Sequence, residues 1–161
     1  MPITAVELMA ELEADPEWVT RRKAKDDEFE KLDEECRSDE AELLTELKEI
    51  GINVESVWDL VNNGSHSVLN HKPLGSYERA YPILVRHLDV THHSRIREGI
   101  IRSLSEKAAR QIALTSLLEH LKTEQERCIR WAIANALQSM LSKSELKHSP
   151  EITETLRAGY L

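Results

Sequence analysis

The residues of this chain best equipped for chemistry are its seven histidines and its runs of adjacent carboxylates. A structural or catalytic metal needs three or four donors converging on one point, at spacings that a helix or turn can bring together. His92-His93 are neighbours whose side chains diverge, and no third ligand stands at a fixed interval from them. His66 and His71 share a loop with the same weakness, and His87 and His120 read as outward-facing residues of two separate helices. Asp26-Asp27-Glu28 and Glu34-Glu35 would suit acid–base work only if their environments pulled their pKa values apart. They recur at helical spacing among charged neighbours, as the polar face of an amphipathic helix does. A Gly-rich phosphate loop, a nucleophile elbow and an HExxH helix are all missing from the sequence. Cys36 and Cys128 stand far apart without CxxC spacing, which suggests neither a disulfide framework nor a zinc site and fits a reducing compartment. The sequence thus predicts no catalytic residue, no metal and no cofactor.

Chemistry being scarce, the pattern that positions side chains carries more information. Moving Leu84–Leu104 forward by 33 residues lays it on a copy of itself without a gap. Leu84, His87, Leu88, Ile96, Arg97, Ile100 and Leu104 fall on Leu117, His120, Leu121, Ile129, Arg130, Ile133 and Leu137. A period of this size signals stacked supersecondary units, each too small to bury its own apolar face. Such stacks expose extended surfaces suited to binding.

The elements around the repeat follow from local signals. Thr4 and Glu7 have capping-box spacing ahead of a short helix that ends before Asp15-Pro16. Pro16 suits the first turn of the next helix, with Asp15 as its cap. Helical spacing continues to Ile50 with an expected break near Arg37–Asp39, where Asp39 and Glu42 could cap a new start, and Gly51 supplies a stop. A short helix is expected over Val54–Val61, then a surface loop over 62–76. Ser76 can open a helix to about Leu88 that Pro82 would kink. After a turn at Asp89–Ser94 a second helix covers Arg95–Ser105. Its copy gives a helix to Leu121, a turn at Lys122–Glu126 and a helix over Arg127–Leu141. Ser149-Pro150-Glu151 starts a last helix ending near Gly159. The predicted fold class is all-α, in one structural domain with acidic helices over 1–50 packing on a repeat stack over 51–161.

Composition agrees with a helical, water-exposed protein: 40% of residues are apolar, 31% charged, with five Gly and five Pro. The net charge of −8 is uneven, because residues 1–50 hold 17 acidic against 7 basic side chains. So acidic a front repels phosphate backbones and attracts basic proteins, faster at low salt. The first residues lack the basic and apolar regions of a signal peptide, and no stretch is long enough to span a bilayer; a cytoplasmic location is expected.

Two segments resemble a known repeat. Pro82-x-Leu84-x-x-x-Leu88-Asp89 followed by Ile96-Arg97-x-x-Ile100-x-x-Ser103-Leu104 resembles the HEAT repeat, and Ile129-Arg130-x-x-Ile133-x-x-Ala136-Leu137 matches its second half again. Lys122 stands where that pattern ends its first helix in Asp, and Thr115 is the counterpart of Pro82. With Ser56-Val57-Trp58-Asp59-Leu60-Val61-Asn62 ahead of the repeats, the layout is similar to small bacterial HEAT-repeat proteins of unknown function. The resemblance implies a short right-handed α-solenoid of helical hairpins whose second helices line a concave groove. It implies that Arg97 and Arg130 tie adjacent repeats together, with Asp89 a candidate partner.

Contact residues are expected on that groove. Trp131, Asn135 and Gln138 lie on one helical face, away from the core positions Ile129, Ile133, Ala136, Leu137 and Met140. The repeat counterpart of Trp131 is Glu98, a residue type seldom buried unpaired, and Trp leads the residues that dominate interfaces. The candidate binding residues are therefore Trp131, Asn135, Gln138, Glu98 and Arg102, with Asp26, Asp27, Glu30 and Glu34 as an acidic face toward a partner. Trp18 and Trp58 lie on apolar stripes and are expected to pack. The function expected is non-enzymatic protein binding, in its sharpest form an immunity or antitoxin-type protein neutralising a basic toxin or enzyme. The alternatives are a nucleic-acid-binding helical module, using Arg95, Arg97, Arg102, Arg110, Arg127 and Arg130, and a structural subunit of a larger assembly.

Overall fold

The structure is a computed structural model that describes residues 4–61 and 75–160. All regular elements among them are helical. The chain divides into two compact units, Met1–Ser38 and Asp39–Leu161. The expected loop over 62–76, with His66 and His71, lies almost wholly outside the described residues.

The first unit holds α1 (Ala5–Glu13) and most of α2 (Pro16–Asp39). Thr4 and Glu7 form the expected capping box, with Thr4 Oγ1 accepting from the Glu7 amide and Glu7 accepting from the Thr4 amide. Asp15 Oδ1 accepts from the Glu17 amide at 2.9 Å, capping α2.

The second unit contains α3 (Ala41–Glu49), α4 (Trp58–Val61), a 3-10 turn at Glu78–Ala80, α5 (Tyr81–His87), α6 (Ser94–Ser103), a 3-10 turn at Lys107–Ala109, α7 (Arg110–Thr123), α8 (Arg127–Met140), α9 (Lys143–Lys147) and α10 (Pro150–Ala158). Helices α3, α5 and α7 pack side by side as one row, and α4, α6, α8 and α10 as a second. The rows are joined by α5 against α6 and α7 against α8.

The shared apolar positions build the core. Leu84, Leu88, Ile96, Ile100 and Leu104 are buried, as are Leu117, Leu121, Ile129, Ile133 and Leu137. Ile100 and Ile133 line the same small internal gap. Gly99 sets how closely α4 approaches α6. A methyl group there would lie 2.6 Å from Val57 Cγ1 and 3.1 Å from Trp58 Nε1, so the absent side chain makes room for both. The matching residue of the second copy is Ala132, also buried.

Several boundaries differ from the sequence-based expectation. The helix expected over Val54–Val61 shrinks to Trp58–Val61. Asp59 accepts from the amides of Glu55 and Ser56, and the buried Glu40 from that of Val57, so carboxylates satisfy the N–H groups before the helix begins. Asp39 does not cap α3; its carboxylate accepts from the His93 amide at 3.0 Å. Pro82 sits in the first turn of α5, where its missing N–H costs nothing, and kinks no helix. Helix α9, with a capping box between Ser142 and Glu145, was not anticipated. Gly51 and Gly159 end their helices at φ +79° and +81°, a region that suits glycine.

Candidate binding surface

The second row of helices brings three of the expected contact residues into one cluster. Glu98 and Arg102 are one turn apart on α6, and Arg102 Nε donates to Glu98 Oε1 at 2.7 Å. The Arg102 guanidinium lies 5.8 Å from the Trp131 ring centroid, over the indole supplied by α8. Tyr160, just past α10, meets Trp131 edge to face, with centroids 5.5 Å apart and planes at 87°. Its hydroxyl donates to Glu98 Oε2 at 2.8 Å, closing a ring of four side chains. The Tyr160 pKa is raised, first because the hydrogen bond to Glu98 holds the phenol protonated, then by burial and by the nearby carboxylate charge.

Trp131 is half-buried in this cluster, Asn135 is half-buried and Gln138 is exposed. The side chain of Glu98 is only 12% exposed and that of Arg102 30%. The patch therefore presents the indole, the phenol edge and part of a guanidinium, held in place by a mostly buried carboxylate. Such a surface can recognise an extended or helical segment through aromatic and polar contacts. It holds no nucleophile–base pair. The nearby Cys128 thiol is pushed up to about 11, first by burial and then by the Glu126 carboxylate, and so stays protonated.

Tyr160 escaped the sequence reading because it lies beyond the repeat and beyond Gly159. The one available signal was the scarcity of aromatics, which makes each of them worth placing.

A second polar cluster, also unforeseen, runs through the interior. His92 Nδ1 contacts Asp39 at 3.0 Å, His92 Nε2 contacts His87 Nδ1 at 2.9 Å, and His87 Nε2 contacts Glu46 at 3.2 Å. Arg86 closes the chain by pairing with Glu46. His87 and His92 are buried, so the outward position expected for His87 is corrected. Its counterpart His120 keeps a partly exposed ring and contacts Asp89 at 3.1 Å. Asp89 is therefore the partner of His120 and not of Arg97. Arg97 pairs with Glu124, and Arg130 donates to the Leu121 carbonyl at 2.7 Å and to Glu151 at 2.9 Å. Among the described residues no group of three or more His, Cys, Asp or Glu is placed to hold a metal ion.

The remaining arginines bear on phosphate binding. Arg110 pairs with Glu145 and donates to the Met140 carbonyl, and Arg127 donates to the Ala158 carbonyl. Of the six arginines that a nucleic-acid surface would use, Arg95, Arg97, Arg102, Arg110, Arg127 and Arg130, only the Arg95 guanidinium has no such partner among the described residues. A guanidinium already engaged by a carboxylate or carbonyl has fewer donors left for a backbone phosphate.

On the acidic face of α2, Asp26 pairs with Arg22 and Glu34 with Arg37, while Asp27 and Glu30 have no side-chain partner among the described residues. Trp18 is half-buried with the Arg22 guanidinium over its ring at 5.5 Å. Trp58 is half-buried and its Nε1 donates to the Arg95 carbonyl at 3.2 Å, locking α4 to α6. No helix among the described residues is long and apolar enough to cross a membrane. No family model, curated protein or solved structure matches this chain.

Proposed function

We propose that the protein is a non-enzymatic protein-binding module of HEAT-like helical pairs, and that its contact surface is the row α4–α6–α8–α10 centred on Trp131. The observation carrying this reading is the ring formed by Glu98, Arg102, Trp131 and Tyr160: an aromatic pair, still partly open to solvent, held by a mostly buried carboxylate. Fixing aromatic and Arg side chains before binding lowers the ordering cost of association, and these residue types dominate interface energetics. Asn135 and Gln138 extend the same face with adaptable hydrogen-bonding groups. The net charge of −8 would speed encounter with a basic partner at low salt, which fits an immunity- or antitoxin-type role. Nucleic-acid binding is less favoured, since five of the six arginines it would use are engaged within the chain.

The test is capture from native lysate with the full chain as bait. One protein partner at near-equal stoichiometry is expected, and Trp131→Ala should weaken it by about 30-fold or more, the scale of a hot-spot truncation. Capture of nucleic acid alone, or a Trp131→Ala profile identical to the parent, would overturn the proposal.

A further inference from the structure

Among the described residues, most of the large apolar side chains that stand exposed lie in the N-terminal unit. Of the seven large hydrophobic residues that stand exposed among the described residues, five lie in it: Val6, Leu8, Met9, Val19 and Phe29. On α2, Trp18, Arg22, Lys25, Phe29 and Leu32 recur at alternating intervals of four and three, which places them on one face of the helix. The two cations complete the stripe. Arg22 lies over Trp18, and Lys25 over Phe29 at 5.7 Å, so their alkyl stems run along the aromatic surface.

The charges flanking this stripe are segregated along the helix. Residues 16–25 sum to +3 and residues 26–38 to −5. Intrahelical pairs, Arg22 with Asp26, Lys31 with Glu35 and Arg37 with Asp33 and Glu34, neutralise part of this. Among the described residues, Arg21 and Lys23 in the basic half are left without side-chain partners, as are Asp27, Glu28 and Glu30 in the acidic half. A helix that is basic at one end, acidic at the other and carries exposed Phe29 with half-buried Trp18 and Leu32 along one face is complementary in charge to itself when reversed. A twofold axis between Lys25 and Asp27 lays each basic half along the other copy's acidic half, with the stripes face to face. A parallel pairing would set like charge on like.

From this complementarity we propose that α2 is a self-association helix, pairing antiparallel with α2 of a second copy to make a twofold dimer through the N-terminal unit. The interface is isologous, the commonest arrangement for a closed homodimer. It uses none of the residues of the Trp131 surface. The unpaired carboxylates of α2 are thereby occupied by the second copy's arginine and lysine, not by a basic partner.

Sedimentation velocity of the full chain tests this directly, the monomer being 18.5 kDa. A species of about twice that mass is expected at low salt, dissociating on dilution and more readily at high salt. Phe29→Glu should weaken the dimer at least tenfold, with helix content by circular dichroism unchanged. The decisive arm uses two charge-reversed chains, Arg21→Glu/Lys23→Glu and Glu28→Lys/Glu30→Lys. Each alone should be monomeric, because reversal sets like charges opposite, and mixing them should restore a heterodimer. A parent chain monomeric throughout overturns the proposal, whether or not it binds a basic probe such as polylysine. A dimer indifferent to all the α2 substitutions overturns it too, as does a mixture that stays monomeric.

Discussion

The two helical pairs α5–α6 and α7–α8 share an apolar skeleton and differ in nearly every polar detail. At five matched positions both copies bury Leu or Ile. At His87 the first copy carries a buried ring in a chain from Asp39 to Glu46, whereas His120 of the second is partly open and meets only Asp89. Glu98 becomes Trp131, and Gly99 becomes Ala132. Each difference tracks the neighbour the copy faces. The first copy packs against α3, which supplies Glu46, and against α4, whose Trp58 and preceding Val57 need the space at Gly99. The second copy packs against α10, and the adjoining tail supplies Tyr160. The shared positions build the core, and the positions that differ shape the surfaces.

The shared skeleton can be broken in either copy. Ile100→Ala and Ile133→Ala should each lower unfolding free energy by about 2–5 kcal/mol in urea titrations, and by similar amounts. A loss confined to one copy would mean that the pairs are not equivalent. The polar differences should give unequal effects. Gly99→Ala forces a methyl group against Val57 and should destabilise by about 1–3 kcal/mol, despite the better helix propensity of alanine. Ala132→Gly should cost about 1 kcal/mol, mostly backbone entropy. His92→Ala strips a buried partner from both His87 and Asp39 and should cost about 1–3 kcal/mol. His120→Ala should stay within about 0.5 kcal/mol, because its contact is partly solvated.

The smallest effect concerns acid. Near the start of each first helix one of two matched side chains grips a carboxylate, Tyr77 holding Glu106 and Arg110 holding Glu145. Only the second grip involves a cation. The Arg110 guanidinium, with the Ser142 amide, holds the Glu145 carboxyl at about 2 against an ordinary 4.5. A carboxyl depressed on folding adds stability that is whole above about pH 4.5 and lost as pH falls through about 2. Glu145→Gln should therefore melt below the parent at neutral pH and converge with it near pH 2. Equal melting temperatures at pH 7 would remove the ion pair from the balance.

The sequence makes the skeleton legible because helical periodicity encodes which face each helix buries. Glu98, Arg102 and Trp131 follow from that periodicity plus one comparison across 33 residues. Tyr160 and the His87–His92 chain do not, since their partners come from elements outside the repeat, and a sequence seen alone does not say which helices become neighbours. The shortened α4 was hidden for a related reason. Its first amides are claimed by the carboxylates of Glu40 and Asp59, and Glu40 reaches them from 17 residues away.

Trp131 is where the departures from repetition converge, and truncating it is the most direct measurement. With the captured partner in hand, titration calorimetry on the parent, Trp131→Ala and Ile112→Ala should show affinity lost by about 30-fold for Trp131→Ala alone. Exposed Ile112, on α7 in the other row, serves as the control. Equal affinities for all three chains would place the contact surface elsewhere on the molecule.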